Sequence, residues 1–322
     1  MQTRKLGNTN LELTTVGLGT WAIGGPWQFG WGPQDDNEAV AAILKALDMG
    51  INWIDTAPAY GLGHSEELVG RALKQTSEGP LIATKCGILG NEKREKVTCL
   101  KKDSIRRECH DSLKRLGVET IDLYQMHWPD PDEDVEEAWE EMVKLKDEGK
   151  VRYIGVSNFT VEHLERVRKI HEVASLQPPY SMLHRQCEGE LLGYCGENNI
   201  GVVAYSPMQR GLLTGKFSPE RLAELALDDH RRKHPDFHEP IFGATMELVE
   251  KLKELAKRNG RTCAQVAISW VLRRPEVTAA IVGARRPAQI EETAGASGWN
   301  LSAEDIEQIE TLLAKRQAKI DN

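Results

Sequence analysis

Eight apolar runs of strand length alternate with longer amphipathic stretches along this chain, and that alternation constrains its fold more than any single residue does. The runs are Val16–Gly19, Ile51–Asp55, Leu81–Lys85, Ile121–His127, Val151–Ser157, Ser175–Gln177, Gly201–Ser206 and Ala279–Gly283. Between them lie stretches with apolar positions three and four residues apart, a helical period, among them Asn37–Met49, Asp103–Leu116, Val135–Glu148 and Leu248–Lys257. Strand, helix, strand in repetition demands a parallel sheet with helices outside it. Eight such units in about 300 residues fit a closed (β/α)8 barrel, an α/β TIM barrel, better than an open doubly wound sheet.

No Gly/Ser linker or break in composition divides the sequence, so 1–322 reads as one barrel domain. Arg210–Phe242 is longer than a usual connection between strand and helix and reads as a functional loop with short helices. Ahead of the first barrel strand, Thr3–Leu6 and Leu11–Leu13 flank Gly7-Asn8-Thr9-Asn10, the pattern of an N-terminal β-hairpin placed to plug the barrel bottom.

With 40% hydrophobic and 28% charged residues, the chain has material for a large core and is neither disordered nor fibrous. A net charge of −8 argues against a nucleic-acid partner, which calls for a clustered basic surface. The one dense basic run, His230-Arg231-Arg232-Lys233-His234, reads as a solvated loop. No apolar run approaches the roughly 18 residues of a membrane span and no apolar stretch follows the N-terminus, which leads to the expectation of a cytoplasmic protein without a membrane partner. Cys86, Cys99, Cys109, Cys187, Cys195 and Cys263 lack CxxC spacing and read as reduced thiols, so no metal site is expected. The oligomeric state is left open.

The apolar runs end in polar or glycine residues: Asp55, Lys85, His127, Ser157 with Asn158, Gln177, Tyr205 with Ser206, and Gly283. In a TIM barrel these C-terminal strand ends converge on the face that carries the active site. Asp55, Lys85 and His127, with Tyr60 in the loop after Asp55, form a chemically coherent group. A lysine beside a tyrosine favours the phenolate and is expected to lower the phenol pKa from about 10 toward a value useful for proton transfer. Asp55 would hold the lysine, since a buried unpaired ammonium is costly. His127 would orient a carbonyl by donating a hydrogen bond. Such a site protonates a carbonyl oxygen while another group delivers hydride to carbon.

Four ordered motifs carry a family resemblance: Gly50-Ile51-Asn52-Trp53-Ile54-Asp55-Thr56-Ala57-Pro58-Ala59-Tyr60-Gly61, Ala83-Thr84-Lys85, Asp122-Leu123-Tyr124-Gln125-Met126-His127-Trp128-Pro129, and Gly149–Phe159. From about Lys5 to Leu313 the chain resembles the aldo-keto reductases, most closely the bacterial general-stress type related to potassium-channel β-subunits. The resemblance implies reduction of aldehydes or ketones, with Tyr60 as acid/base, Lys85 as its pKa modifier, Asp55 as the lysine's partner and His127 as the carbonyl-orienting group.

The resemblance also implies NADPH stretched across the barrel mouth. Ser157, Asn158 and Gln177 would hold its carboxamide and Tyr205 would stack on its nicotinamide ring. Gly19, Thr20, Trp21 and Asp55 would lie at the nicotinamide end, the neighbouring glycines letting Thr20 and Trp21 approach. Ser206, Pro207, Met208, Gln209, Arg210, Gly211, Leu212 and Lys216 would strap over the pyrophosphate. Gly283, Arg285, Gln289, Glu292 and Thr293 would meet the adenosine end, where a helix opening at Pro287 offers free amides. Many members of the family carry arginine where Gln289 stands and asparagine where Thr293 stands. Recognition of the 2′-phosphate is therefore expected to rest mainly on Arg285. Trp21, Trp27 and Trp128 are expected to wall a pocket for an apolar or aromatic aldehyde, with Trp53, Trp139 and Trp270 in the core.

Two look-alikes fail. Gly211–Lys216 is one residue short of a P-loop, with Phe217 where Ser or Thr is needed, and Gly17-Leu18-Gly19 lacks the third glycine and the distant acidic residue of a dinucleotide fingerprint. The competing readings are a Schiff-base aldolase using Lys85, and a cofactor-binding barrel acting mainly as an interaction or redox-sensing subunit. A metal-dependent hydrolase is weakest, since no His-x-His follows the first strand.

Overall fold

A computed structural model describes residues 1–321. It opens with an antiparallel hairpin, β1 (Thr3–Lys5) and β2 (Glu12–Thr14). The barrel strands are β3 (Val16–Gly19), β4 (Trp53–Asp55), β5 (Leu81–Cys86), β8 (Ile121–Met126), β9 (Val151–Ser157), β10 (Ser175–Gln177), β11 (Gly201–Tyr205) and β12 (Val277–Gly283), all parallel and closed by pairing of β12 with β3. This is the (β/α)8 TIM barrel with N-terminal hairpin that the sequence pattern predicts. A second small hairpin, β6 (Ile88–Gly90) with β7 (Lys96–Thr98), rises from the end of β5 and was not foreseen. The helices are α1 (Asp36–Asp48), α2 (His64–Leu73), α3 (Lys102–Leu116), α4 (Val135–Asp147), α5 (Val161–Arg168), α6 (Glu190–Glu197), α7 (Pro219–Ala223), α8 (Ile241–Arg258), α9 (Cys263–Leu272), α10 (Pro287–Ala294) and α11 (Ala303–Ile320). Their starts are written locally: Asp35 accepts from the Glu38 amide ahead of α1, and Thr160 and Thr262 form capping boxes at α5 and α9.

Successive strand residues face opposite sides, so each strand serves two cores. Leu18, Ile54, Ile82, Met126, Val156 and Val202 pack outward against the helices. Trp53, Ala83, Leu123, Val203, Ala279 and Ile281 face inward and meet Leu6, Leu11 and Leu13 of the hairpin, which plug the barrel bottom. Arg4 fastens the hairpin, donating to the carbonyls of Val277 at 2.6 Å and Leu272 at 3.1 Å.

Three details depart from the sequence expectation. Ile51 and Asn52 precede β4 instead of belonging to it, because the Asn52 side chain closes the barrel base, accepting from the Thr14 amide at 2.9 Å and donating to the Glu12 carbonyl at 2.7 Å. The helix following β11 in the ring around the barrel is α9, which packs on β12 and α10, whereas the periodic Leu248–Lys257 stretch lies in α8, paired with α11 farther out. The basic run 230–234 is a 3-10 turn, His230–Lys233, and no solvated loop: Arg231 is buried against Asp229, donating to it at 2.9 and 2.6 Å. All six cysteines are free thiols, five of them buried. Among the described residues no helix is long and apolar enough to cross a membrane, and no group of three or more His, Cys, Asp or Glu is arranged to hold a metal ion.

Candidate active site

On four strands the inward face turns polar near the barrel top, two residues beyond its last apolar side chain. Trp53 gives way to Asp55, Ala83 to Lys85, Leu123 to Gln125, and Val203 to Tyr205. Lys85, fully buried, donates from Nζ to Asp55 Oδ1 at 2.7 Å, the Thr56 carbonyl at 2.9 Å and Tyr60 Oη at 3.2 Å. The second oxygen of Asp55 accepts from Gln177 Nε2 at 2.9 Å and from Gln125 Nε2 at 3.4 Å. No charge in this layer is left unpaired, which is the condition for burying it. Gln125 is a member that sequence reading missed. It lies two residues beyond the inward Leu123 and two before His127, so strand alternation places it in the same layer.

Tyr60 sits in the loop between β4 and α2, fixed by its amide donating to the Ala57 carbonyl at 3.0 Å and its carbonyl accepting from the Ser65 amide at 3.2 Å. Gly61 has φ +68°, and a β-carbon there would lie 1.8 Å from the Gly24 carbonyl oxygen. The glycines after β3 thus let two loops touch backbone to backbone. Of the two residues expected beside them at the ligand, Trp21 lines the cavity and Thr20 does not. Thr20 is buried and bonds to Ser65 at 2.7 Å behind the cavity wall.

Electrostatics decide which groups carry protons. Burial, then the nearby Asp55 charge, pushes the Tyr60 phenol well above its ordinary value of 10.0. The shift runs opposite to the expected lowering by Lys85, whose ammonium is matched by Asp55 at 2.7 Å, and burial dominates. Tyr60 is therefore a phenol at neutral pH. Its oxygen accepts from Lys85, which leaves its proton available. Burial lowers the Lys85 pKa while Asp55 opposes that shift. Burial, then the charges of Lys85 and Lys96, holds His127 well below 6.5, so its imidazole is neutral. The Tyr60 and His127 rings meet edge to face with centroids 5.9 Å apart.

Above this group lies a cavity of about 420 Å³. Its walls include Asp55, Tyr60 and His127, and also Gly19, Trp21, Ser157, Asn158, Gln177, Tyr205, Ser206, Pro207, Met208, Arg210, Gly211, Lys216, Gly283, Arg285, Gln289, Glu292 and Thr293. Most of the residues predicted for cofactor and chemistry are thereby brought together. Leu212 and Gln209 are not: Leu212 packs with Phe217, Phe237 and Phe242, and Gln209 is buried with its amide donating to Asp236 at 2.6 Å. Trp21, Trp27 and Trp128 line the cavity as expected, joined by Phe29 and Trp31, while Trp53, Trp139 and Trp270 are buried in the core.

The floor is tied together internally. Tyr205 donates to Asn158 Oδ1 at 2.9 Å, Asn158 Nδ2 donates to the His127 carbonyl and to Ser157 Oγ at 3.0 Å each, and Ser157 donates to the Gln177 carbonyl at 2.8 Å. Asn158, Ser206, Gln209 and Arg210 all have positive φ, between 44° and 61°. Such backbone is held only where the surroundings over-determine it, and it clusters at binding sites. The buried Arg210 Nε has no hydrogen-bond partner among the described residues. An elongated cavity with planar amides at one end and cations with an unused buried donor at the other suits a nicotinamide dinucleotide.

At the adenosine end the local bonding differs from expectation. The amides of Arg285 and Arg286, just ahead of α10, both donate to Gln289 Oε1, at 2.8 and 3.1 Å, so these two are spent on the helix's own first turn. The Arg285 guanidinium donates to Gln34 Oε1 at 2.6 Å, to the Trp31 carbonyl at 3.0 Å and to the Pro33 carbonyl. Arg286 pairs with Glu38 at 3.3 Å. Lys216 and Glu292 form an ion pair across the cavity wall.

Residues 15–314 match the Aldo/keto reductase family. Among curated proteins, the chain is 40% identical to aldo-keto reductase YhdN of Bacillus subtilis, over 97% of this chain and 94% of that one. It is 36% identical to the NADH-specific methylglyoxal reductase of Escherichia coli, over 93% and 94%. Among solved structures, a glycerol dehydrogenase from Gluconobacter oxydans superposes with a TM-score of 0.88 at 40% identity, covering 98% of this chain and 95% of that one. An aldo-keto reductase from Bacillus halodurans in its holo form gives 0.80 at 28% identity, covering 97% and 96%. The chain belongs to the aldo/keto reductase family, oxidoreductases that act on small-molecule carbonyl compounds with a nicotinamide cofactor.

Proposed function

We propose that this chain is an NADPH-dependent reductase of aldehydes and ketones, working in the cytoplasm with Tyr60 as its general acid. The observation that carries the reading is Lys85 Nζ, bonded at once to Asp55 at 2.7 Å and to Tyr60 Oη at 3.2 Å. A substrate carbonyl seated between Tyr60 and His127 accepts a hydrogen bond from each and takes the phenol proton onto its oxygen. NADPH, when bound, supplies the hydride. Lys85 then stabilises the resulting phenolate, and Asp55 keeps the lysine charged and in place. Tyr205, its phenol fixed by Asn158, offers a ring against which a nicotinamide can lie, and Trp21, Trp27 and Trp128 wall off water around an apolar substrate. Use of Lys85 as a Schiff-base nucleophile is disfavoured, since its nitrogen is fully buried and spends three hydrogen bonds on Asp55, Thr56 and Tyr60. The test is NADPH oxidation over a panel of aldehydes and ketones, with Tyr60→Phe as the comparison. Turnover within about tenfold of wild type in that variant would remove Tyr60 from the acid role.

A further inference from the structure

The aromatic end of the cavity carries a cation that the proposed reduction leaves unused. Trp21, Trp27, Phe29, Ile88 and Trp128 wall that end, and Lys96 stands among them. The indole N–H groups of Trp21 and Trp27 are spent inside the wall, on the Phe29 carbonyl at 3.0 Å and the Arg94 carbonyl at 2.8 Å. Lys96 lies on β7 with its backbone held: its amide donates to Gln28 Oε1 at 3.0 Å, and it pairs with Gly90 across the hairpin. Its ammonium is not held by any acid. Nζ lies 5.9 Å from the centre of the Trp128 ring, and among the described residues no carboxylate comes within ion-pair distance of it. The two carboxylates lining the cavity, Asp55 and Glu292, are bonded to Lys85 and Lys216. The other lining cations, Arg210, Lys216, Arg221, Arg231 and Arg285, sit on the long loop after β11 or just ahead of α10. Lys96 instead is felt at the reacting group: burial, then Lys85, then Lys96 hold the His127 imidazole neutral.

We propose that Lys96 is a specificity-determining residue, and that the preferred substrates are aldehydes or ketones carrying a carboxylate on an apolar body. The inference rests on the chain being a carbonyl reductase. Such a molecule sets its carbonyl between Tyr60 and His127, its apolar body against the tryptophans and its carboxylate on the Lys96 ammonium. The carboxylate does not react. Hydride from NADPH goes to the carbonyl carbon and the Tyr60 proton to the carbonyl oxygen, so the product is a hydroxy acid anion of unchanged charge. Apolar walls keep the local dielectric below that of water, and an unpaired cation beside them attracts an anion more strongly than one in open solvent. A lysine that served only solubility would give no such preference.

Steady-state reduction of 4-carboxybenzaldehyde, its neutral methyl ester and the cationic 4-formyl-N,N,N-trimethylanilinium tests this. Comparing each ratio of kcat/KM between wild type and variant cancels the intrinsic reactivity of the rings. Lys96→Met is expected to lower the carboxylate-to-ester ratio about five- to tenfold, between the worth of an exposed ion pair and that of a charged hydrogen bond. The loss should appear in KM, since the carboxylate meets the same charge before and during hydride transfer. Lys96→Arg should keep the ratio, Lys96→Glu should turn it toward the cationic aldehyde, and Lys93→Met, an exposed lysine on the turn of the same hairpin, should leave it as in wild type. Unchanged ratios in both Lys96→Met and Lys96→Glu would overturn the proposal. So would equal loss on all three aldehydes, which would make the lysine a support of the hairpin, or a loss confined to kcat, which would place its effect on His127. Wild type that reduces none of the three would take down the reductase reading, and this inference with it.

Discussion

Gly17 and Trp53 occupy one volume between them: a β-carbon added to Gly17 would lie 2.0 Å from the Trp53 ring. The indole, hydrogen-bonded from Nε1 to the Thr14 carbonyl at 2.9 Å, fills the barrel interior where the neighbouring strand contributes no side chain. Gly17→Ala is expected to destabilise the fold by about 3 kcal/mol, since the clash is with an enclosed ring that has nowhere to move. Denaturant unfolding measures this, and pairing the change with Trp53→Phe should recover part of the loss.

Tyr60→Phe should leave nucleotide affinity near wild type and lower turnover by orders of magnitude, because it deletes a proton and little surface. Lys85→Met should be equally damaging. Asp55→Asn should be milder, as the lysine remains. Steady-state kinetics with parallel nucleotide titrations rank the three, and an order with Asp55→Asn worst would require another role for that carboxylate.

The pH profile of reduction follows from the two shifted groups. The acid must be protonated, and Tyr60 is held above 10.0, so rate is lost only as pH rises into the strongly alkaline range. His127, held below 6.5, stays neutral until well into the acid range. The chemical step, isolated by single-turnover measurement, should therefore be flat between those two values. A midpoint near neutrality would mean that the phenol is lowered after all.

Glu108 provides a separate test, of stability. Burial raises its carboxyl to about 7 from 4.5, although the Gly87 amide and Ser104 hydroxyl bonded to it oppose that shift. Between pH 4.5 and 7 the folded chain holds a proton that the unfolded chain has released, so stability falls as pH rises through this window. Glu108→Gln mimics the protonated form and should gain up to about 3 kcal/mol at pH 8 while changing little at pH 4.5. Thermal melts at both pH values decide it.

The candidate catalytic group was legible because Asp55, Lys85 and His127 end apolar runs that the barrel brings to one layer, with Tyr60 in the loop that follows the first of them. Gln125 is legible by strand alternation too, as the inward position two residues before His127. The α9 helix escaped for a physical reason. It is enclosed by β12, α8 and α10, so its sequence Cys263–Leu272 is apolar nearly all round and shows no amphipathic period. Arg231 was hidden by its neighbours: the run of five basic residues reads as one solvated stretch, and although Asp229 two residues earlier is its ion-pair partner, the Trp31 ring that covers it lies 200 residues away. Self-capping of α10 by Gln289 lay beyond reading, because a glutamine's choice between its own helix and a ligand is a matter of rotamer.

The bonds from Arg4 to Val277 and Leu272 join residues 273 and 268 positions apart. On a ribosome, the hairpin leucines emerge more than 260 residues before the strand that completes their enclosure. Until β12 is out, β3 lacks one neighbour and the plug has no finished vessel to seal. Closure must then wait for β12, and during that interval an unpaired strand edge and three bare leucines stand open to chaperones or to one another.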